Sequence, residues 1–238
     1  LNDLNRDGFA IVSGVVDRNR IPALRAHLEA ATDQTAVRAR KSTTYAVRNL
    51  LSLVPEVREL SRSPAMLALV EPVLGPGARA VRGLLFDKTP GANWKVAWHQ
   101  DLSIAVKGRV EVSGFGPWSE KAGVLHVQPP PDVLRNMLTV RLHLDDCPAE
   151  NGPLQVLAGS HAHGIIPPES IAELRKTGPL VTCLVKAGGA VLMRPLTLHA
   201  SPTSTTPGHR RVIHIEYAAA NTLPAGIQWH ESDENKDP

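Results

Sequence analysis

Apolar positions in the first third of the chain recur at helical spacing. In I-P-A-L-R-A-H-L-E-A-A, Ile21, Leu24 and Leu28 fall on one side of a 3.6-residue turn, with Pro22 in the first turn, where a missing N–H costs nothing. V-P-E-V-R-E-L predicts a second helix, and S-P-A-M-L-A-L-V-E-P-V-L a third, opened by Ser63 and Pro64 and stopped by G-P-G. From Ala78 the period shortens to two. A-V-R-G-L-L-F, N-W-K-V-A-W-H, L-T-V-R-L-H-L, P-L-Q-V-L, L-V-T-C-L-V, A-V-L-M and R-R-V-I-H-I-E-Y each read as a short strand between Gly, Pro, Asn and Asp clusters. Many short strands of this kind predict a sandwich or barrel.

The alternation is cleanest in L-T-V-R-L-H-L. Leu138, Val140, Leu142 and Leu144 share one face, and Thr139, Arg141 and His143 the other. A polar face on a central strand must look at solvent or at a polar cavity, so these three are pocket candidates; a satisfied buried hydrogen-bond network is the competing reading. The pattern predicts one domain over 1–238: a mostly helical front (1–77), a β core (78–220) and a frayed tail (221–238). Ser103 to Pro131, rich in Gly and Pro, is long for a connection and reads as a lid or binding segment.

Composition narrows the class. With 42% hydrophobic and 21% charged residues in 238, the chain reads as a globular protein able to bury a sizeable core. The net charge of +3 is spread over interspersed residues, and the nearest basic cluster, A-V-R-A-R-K-S, is too short to argue for nucleic acid. No apolar run is long enough to span a membrane. The opening L-N-D-L-N-R-D-G-F has no basic-then-apolar leader, and Cys147 and Cys183 lie in no C-x-x-C, so a cytoplasmic setting is expected.

Candidate chemistry begins at W-H-Q-D. Side chains two apart on a strand point to the same side, so His99 and Asp101 could grip one ion, although the triplet alone reads more readily as a solvated strand end. A third ligand from a distant strand changes that balance. His199, which closes the apolar run V-L-M-R-P-L-T-L-H, would complete a facial triad of two imidazoles and a carboxylate, leaving three positions of an octahedral Fe(II) open. A chelating oxoacid would fill two of them, and its far carboxylate would call for an arginine. Arg210 opens the next strand and Ser201 lies two residues past His199. Arg210 and Arg211 point to opposite faces, and Arg211 is left to surface pairing.

Several other residues carry two readings. Lys88 and Lys95 could meet an anion but are more often solvated. Gln100, His126 and Gln128 are pocket candidates by position. Trp94 and Trp98, four apart, are expected to pack in the core away from His99. His161 and His163 read as surface residues or neighbours of the site, and N-G-P-L reads as a tight turn between strands.

In order along the chain, D-G-F-A-I-V-S-G-V-V, W-H-Q-D, L-D-D-C-P-A-E-N-G-P-L-Q-V-L-A-G-S-H-A-H-G and H-A-S-P-T-S-T-T-P-G-H-R-R-V-I-H-I-E-Y resemble the phytanoyl-CoA dioxygenase family of Fe(II)/2-oxoglutarate oxygenases, from about Asp7 to Tyr217. The resemblance implies a double-stranded β-helix, the cupin-like jelly-roll, with helices along one sheet. It also implies His99, Asp101 and His199 as iron ligands, Arg210 with Ser201 on 2-oxoglutarate, dioxygen as co-substrate and a small-molecule substrate. Related halogenases carry a small residue at the carboxylate position, so Asp101 points to hydroxylation. Segments such as that from Val124 to Leu138 often floor the substrate pocket in this fold. A cupin-type isomerase or epimerase, or a small-molecule-binding jelly-roll, is the alternative. The substrate and the oligomeric state are not legible.

Overall fold

Helices and sheets divide the described residues, 2–34, 38–40, 43–206 and 208–231 of the computed structural model, into layers that follow the hydrophobic pattern. The front carries α1 (Asn2–Asp7), β1 (Phe9–Val12), α2 (Ile21–Gln34), β2 (Arg38–Arg40), β3 (Thr43–Val47), α3 (Leu50–Leu53), α4 (Pro55–Ser61) and α5 (Pro64–Leu74). Then come β4 (Arg79–Lys88), β5 (Val96–His99), β6 (Ile104–Val106), β7 (Trp118–Lys121), β8 (Val124–Val127), α6 (Pro131–Arg135) and β9 (Met137–His143). The chain continues with β10 (Leu154–Leu157), α7 (Ile171–Thr177), β11 (Leu180–Cys183), β12 (Ala190–Met193), β13 (His199–Ser201) and β14 (Arg210–Ala218). The tail expected to fray over 221–238 instead packs as far as Glu231, with Ile227 and Trp229 in the core and Glu231 accepting from Ser52 and Gly83; the part beyond Glu231 and part of A-V-R-A-R-K-S lie outside the described residues.

Seven strands form one antiparallel sheet in the order β1-β12-β9-β14-β4-β3-β2, and four form a second in the order β11-β10-β13-β5. This pairing of a large and a small sheet is a jelly-roll. The front helices cover the outer face of the large sheet. Leu24, Leu28, Leu50, Val57, Met66 and Val70 bury against Leu138, Val140, Leu142, Ile213 and Ile215. Burying each such side chain stabilises the fold by about 1.5–3 kcal/mol, so the helical front is the outer half of the main core. Between the sheets, Leu154, Val156, Cys183, Val191 and Met193 form a second cluster.

The front is not helix alone: β1 pairs with β12 and β3 with β4, extending the large sheet at both edges. F-A-I-V and the strand at 43–47 are too short for their alternation to stand out beside strong helical periods. Ser103 to Pro131 holds its own three-stranded sheet, β6-β8-β7, joined to the C-terminal region by a bridge between Val106 and Trp229. Gly-rich composition suggested a loop there, yet Ile104, Val106 and Val127 supply a small core.

Gly83 marks a close contact between β4 and α3. A Cβ there would meet Leu51 Cγ at 3.0 Å and Leu50 Cβ at 3.1 Å. Gly83→Ala is expected to cost about 1–3 kcal/mol, read as a lower urea midpoint with an unchanged slope.

Candidate metal centre and cofactor cavity

Alternation on β9 and β14 turns polar side chains inward. All seven residues of β9 are buried, so Thr139, Arg141 and His143 face the interior between the sheets. On β14, Arg210, Val212, His214 and Glu216 share that inner face. These strands build one wall of a cavity of about 200 Å3, and β5 and β13 bring the opposing residues.

His99 ends β5 and His199 opens β13, and the two are cross-strand partners. Their ring centroids lie 4.2 Å apart. Nδ1 of His99 donates to the Ala97 carbonyl at 2.8 Å, and Nδ1 of His199 to the Thr197 carbonyl at 2.9 Å. A carbonyl only accepts, so each proton sits on Nδ1 and each Nε2 lone pair faces the site. Asp101 meets both: Oδ1 is 3.7 Å from His99 Nε2, and Oδ2 is 3.7 Å from His199 Nε2.

One ligand atom from each of the three lies within 4.8 Å of the others. Oδ2 of Asp101 is buried without a hydrogen-bond partner. Burial disfavours its charge, but His199, His214, His99 and Arg141 outweigh that and hold the carboxyl down to about 2. Burial takes His199 down to about 4, against the pull of Asp101. Two imidazoles that turn Nε2 to the site and an orphaned, ionised carboxylate form the donor set of an iron(II) facial triad, and they fit such an ion.

Beside the triad, positive charge is in excess. Arg210 is 3% exposed; Nη1 donates to Ser201 Oγ at 3.1 Å and to the Gly152 carbonyl, while Nε is unpartnered. Lys88, its cross-strand partner, is 1% exposed and donates to Ser201 Oγ at 2.8 Å and to the Pro202 carbonyl. Arg141 bonds His214 Nδ1 at 2.8 Å and lies over the Phe86 ring. Among the described residues no carboxylate pairs with Arg210, Lys88 or Arg141. Like charges opposite each other on a ladder are destabilising, and buried cations without a counter-charge more so. Burial, then Arg210, push Lys88 down to about 7, and burial pushes Arg141 down to about 10. A small dianion fits this set.

The N-G-P-L turn serves the same place. Gly152 is left-handed at φ 57, where a Cβ would meet the Pro202 carbonyl at 2.6 Å and Lys88 Nζ at 3.1 Å. Ser201 donates to its carbonyl at 3.0 Å. Arg211 points outward to Asp145 and Glu29.

Other expected pocket residues separate. Gln100 is spent structurally: Nε2 donates to the Gly164 and Leu196 carbonyls, and Oε1 accepts from Ile166 N. Lys95 is exposed. Gln128 pairs through its backbone with Gly116 and Pro117. Thr139 and His143 are buried, with Oγ1 and Nδ1 unpartnered, and burial takes His143 down to about 3. His126 is buried on β8, in the small three-stranded sheet, and is not among the residues that line the cofactor cavity. His161 is half-buried against Gly8, and His163 is exposed.

Trp98 packs with Leu157, Ile166 and Leu198, as a core residue should. Trp94, expected beside it, lines the cavity instead, because the strand begins only at Val96 and four-residue alternation does not reach back to it. His214 and Phe86 also line the cavity and were missed. The alternation in R-R-V-I-H-I-E-Y placed His214 on the face of Arg210 and could have found it.

Comparison with known proteins adds to this geometry. The family model described as phytanoyl-CoA dioxygenase (PhyH) matches residues 4–212. L-proline trans-4-hydroxylase of Streptomyces griseoviridis is 26% identical over 194 residues, 70% of this chain and 64% of that enzyme. The chain therefore matches less than two thirds of that relative's length. Ectoine dioxygenase of Bordetella parapertussis is 26% identical over 251 residues, 92% of this chain and 74% of that enzyme. Among solved structures, AviO1 from Streptomyces viridochromogenes Tue57 superposes with a TM-score of 0.68 at 25% identity, covering 94% of this chain and 95% of its own. EctD from S. alaskensis, solved with 2-oxoglutarate and 5-hydroxyectoine, shares the fold with a TM-score of 0.72 at 19% identity, covering 93% and 75% of the two chains.

Proposed function

We propose that this chain, which belongs to the phytanoyl-CoA dioxygenase family, is a non-haem Fe(II)/2-oxoglutarate-dependent oxygenase that hydroxylates a small molecule. Iron(II) with 2-oxoglutarate supplies the oxidising chemistry, in which dioxygen is consumed, 2-oxoglutarate loses carbon dioxide to become succinate, and a substrate C–H bond gains a hydroxyl. The observation that carries the reading is the pairing of His99, Asp101 and His199 with buried, uncompensated cations on the neighbouring strands. A binding module or a redox-inert cupin has no need of both.

His99, Asp101 and His199 would hold the metal and leave positions open for the oxoacid and dioxygen. Arg210 and Ser201 would clasp the far carboxylate of 2-oxoglutarate, with Lys88 as a second donor. Phe86, Trp94, Val96 and Leu154 line the same cavity and keep water from it. We place all of this in one catalytic domain over the chain. Among the described residues no helix is long and apolar enough to cross a membrane. Cys147 and Cys183 are buried and unpaired, which supports a reducing, cytoplasmic setting.

The test is anaerobic titration with Fe(II) and 2-oxoglutarate, watching for the visible metal-to-ligand charge-transfer band. Absence of the band with iron bound would sink the oxygenase reading. The same titration reads Lys88. Its free-state pKa is near 7, and binding a dianion favours the protonated ammonium. Affinity should therefore be constant below about pH 7 and weaken above it, by at most about tenfold per pH unit. Lys88→Met should bind 2-oxoglutarate more weakly at pH 6 and lose that slope.

A further inference from the structure

At the end of the large sheet's inner face away from Arg210 lies a second group of basic side chains, which the cofactor does not use. Along β14 the inward residues run Arg210, Val212, His214 and Glu216, and β4 places Lys88 opposite Arg210 and Arg82 opposite Glu216. The two ends are separated by about 20 Å of strand. His214 sits between them: it lines the metal cavity, and its Nε2 is 3.4 Å from Glu216 Oε1. Arg82 Nη1 donates to Glu216 Oε1 at 2.9 Å, so that acid is matched.

The small sheet β6-β8-β7 brings two more groups to this place. Lys121, at the end of β7, reaches Ser103 Oγ at 3.3 Å, two residues past Asp101, and has no carboxylate partner among the described residues. Burial, then Arg82 and Arg48, disfavour its charge, and Asp101 and Glu216 lie near enough to oppose that. His126 on β8 is 1% exposed. Its Nδ1 donates to the Val124 carbonyl at 2.9 Å, the construction seen at His99 and His199, and its Nε2 is buried without a partner. Arg82, Lys121 and Arg48 all act on this imidazole. With Arg82 matched by Glu216, the Lys121 ammonium and the bare Nε2 of His126 are on offer. A carboxylate with a donor group nearby complements them.

We propose that the primary substrate carries a carboxylate, held by Lys121 against the Arg82–Glu216 pair, and a donor group that reaches Nε2 of His126. This rests on the oxygenase reading above. It makes β6, β7 and β8 the elements that select the substrate, with the Fe(II) ligands between two carboxylate sites.

The experiment uses wild-type protein loaded anaerobically with Fe(II) and saturating 2-oxoglutarate, so that the cofactor site is filled. Propionate, β-alanine, propionamide and methyl phosphate are titrated by calorimetry, with paramagnetic broadening of 13C-labelled carboxylate by Fe(II) as a second readout. Propionate should bind saturably and broaden, β-alanine should bind more tightly, and propionamide should not bind. Lys121→Met should weaken propionate at least tenfold while Lys121→Arg restores it, and His126→Leu should erase the advantage of β-alanine. No saturable propionate binding, equal binding of propionamide, preference for methyl phosphate, unchanged affinity in Lys121→Met, or no gain with β-alanine would each overturn the proposal. The charge-transfer band in the same wild-type sample separates the outcomes. Without it the oxygenase reading fails first; with it and no carboxylate binding, only the substrate assignment fails.

Discussion

Asp101→Ala is expected to lose Fe(II) binding by at least about 100-fold, since altering even the outer partners of metal ligands costs 10–100-fold, and to reduce succinate formation to background. The reason is electrostatic. His199 is held neutral by burial, so Asp101 is the anionic donor that offsets a divalent ion at this place. Its Oδ2 has no other partner, so removing the carboxylate frees no hydrogen bond elsewhere. Circular dichroism should be unchanged and the urea midpoint should fall modestly rather than rise, because the surrounding cations outweigh burial and favour the ionised carboxylate. Wild-type iron affinity in Asp101→Ala, measured by anaerobic titration, would mean that the ion sits elsewhere.

Arg210→Ala is expected to weaken 2-oxoglutarate by about 2–5 kcal/mol, roughly 30- to 5,000-fold in Kd, the usual cost of truncating one partner of a buried charge pair. Iron affinity should not change. Arg210→Lys should recover only part of the loss, since one ammonium cannot reproduce a planar fork. The charge-transfer band against 2-oxoglutarate concentration reads both variants. If Arg210→Ala kept full affinity and activity, the buried cations would have another purpose, and a metalloenzyme that ignores the oxoacid would be favoured.

Much of the site was legible because its logic is periodic. Two-residue alternation along β9 turned Thr139, Arg141 and His143 inward, His99 and Asp101 came together at the end of β5 as their spacing suggested, and the adjacent Arg210 and Arg211 divided between the two faces as alternation requires. What escaped depends on where strands begin and on contacts between distant segments. Trp94 lies just outside β5, so counting back along the strand misplaced it. Gln100 was a pocket candidate by adjacency, but its amide ties loop 164–166 to the chain after β12, which no local pattern reveals. Lys88 could not be separated from an ordinary surface lysine until β14 put Arg210 opposite it. The small sheet read as a loop because its short strands are diluted by Gly and Pro.

The pairing of His199 with His99 also orders events in time. β5 is an edge strand whose neighbour in its sheet is β13, and Arg210 follows only on β14. A nascent chain that has emerged only as far as Leu198 can offer an ion two of its three donors and the oxoacid no arginine. Contacts of such long sequence separation form late. Chelation by this triad would therefore not template folding of the emerging chain. It reports that the roll has closed, and oxidant chemistry is withheld from every partly made chain.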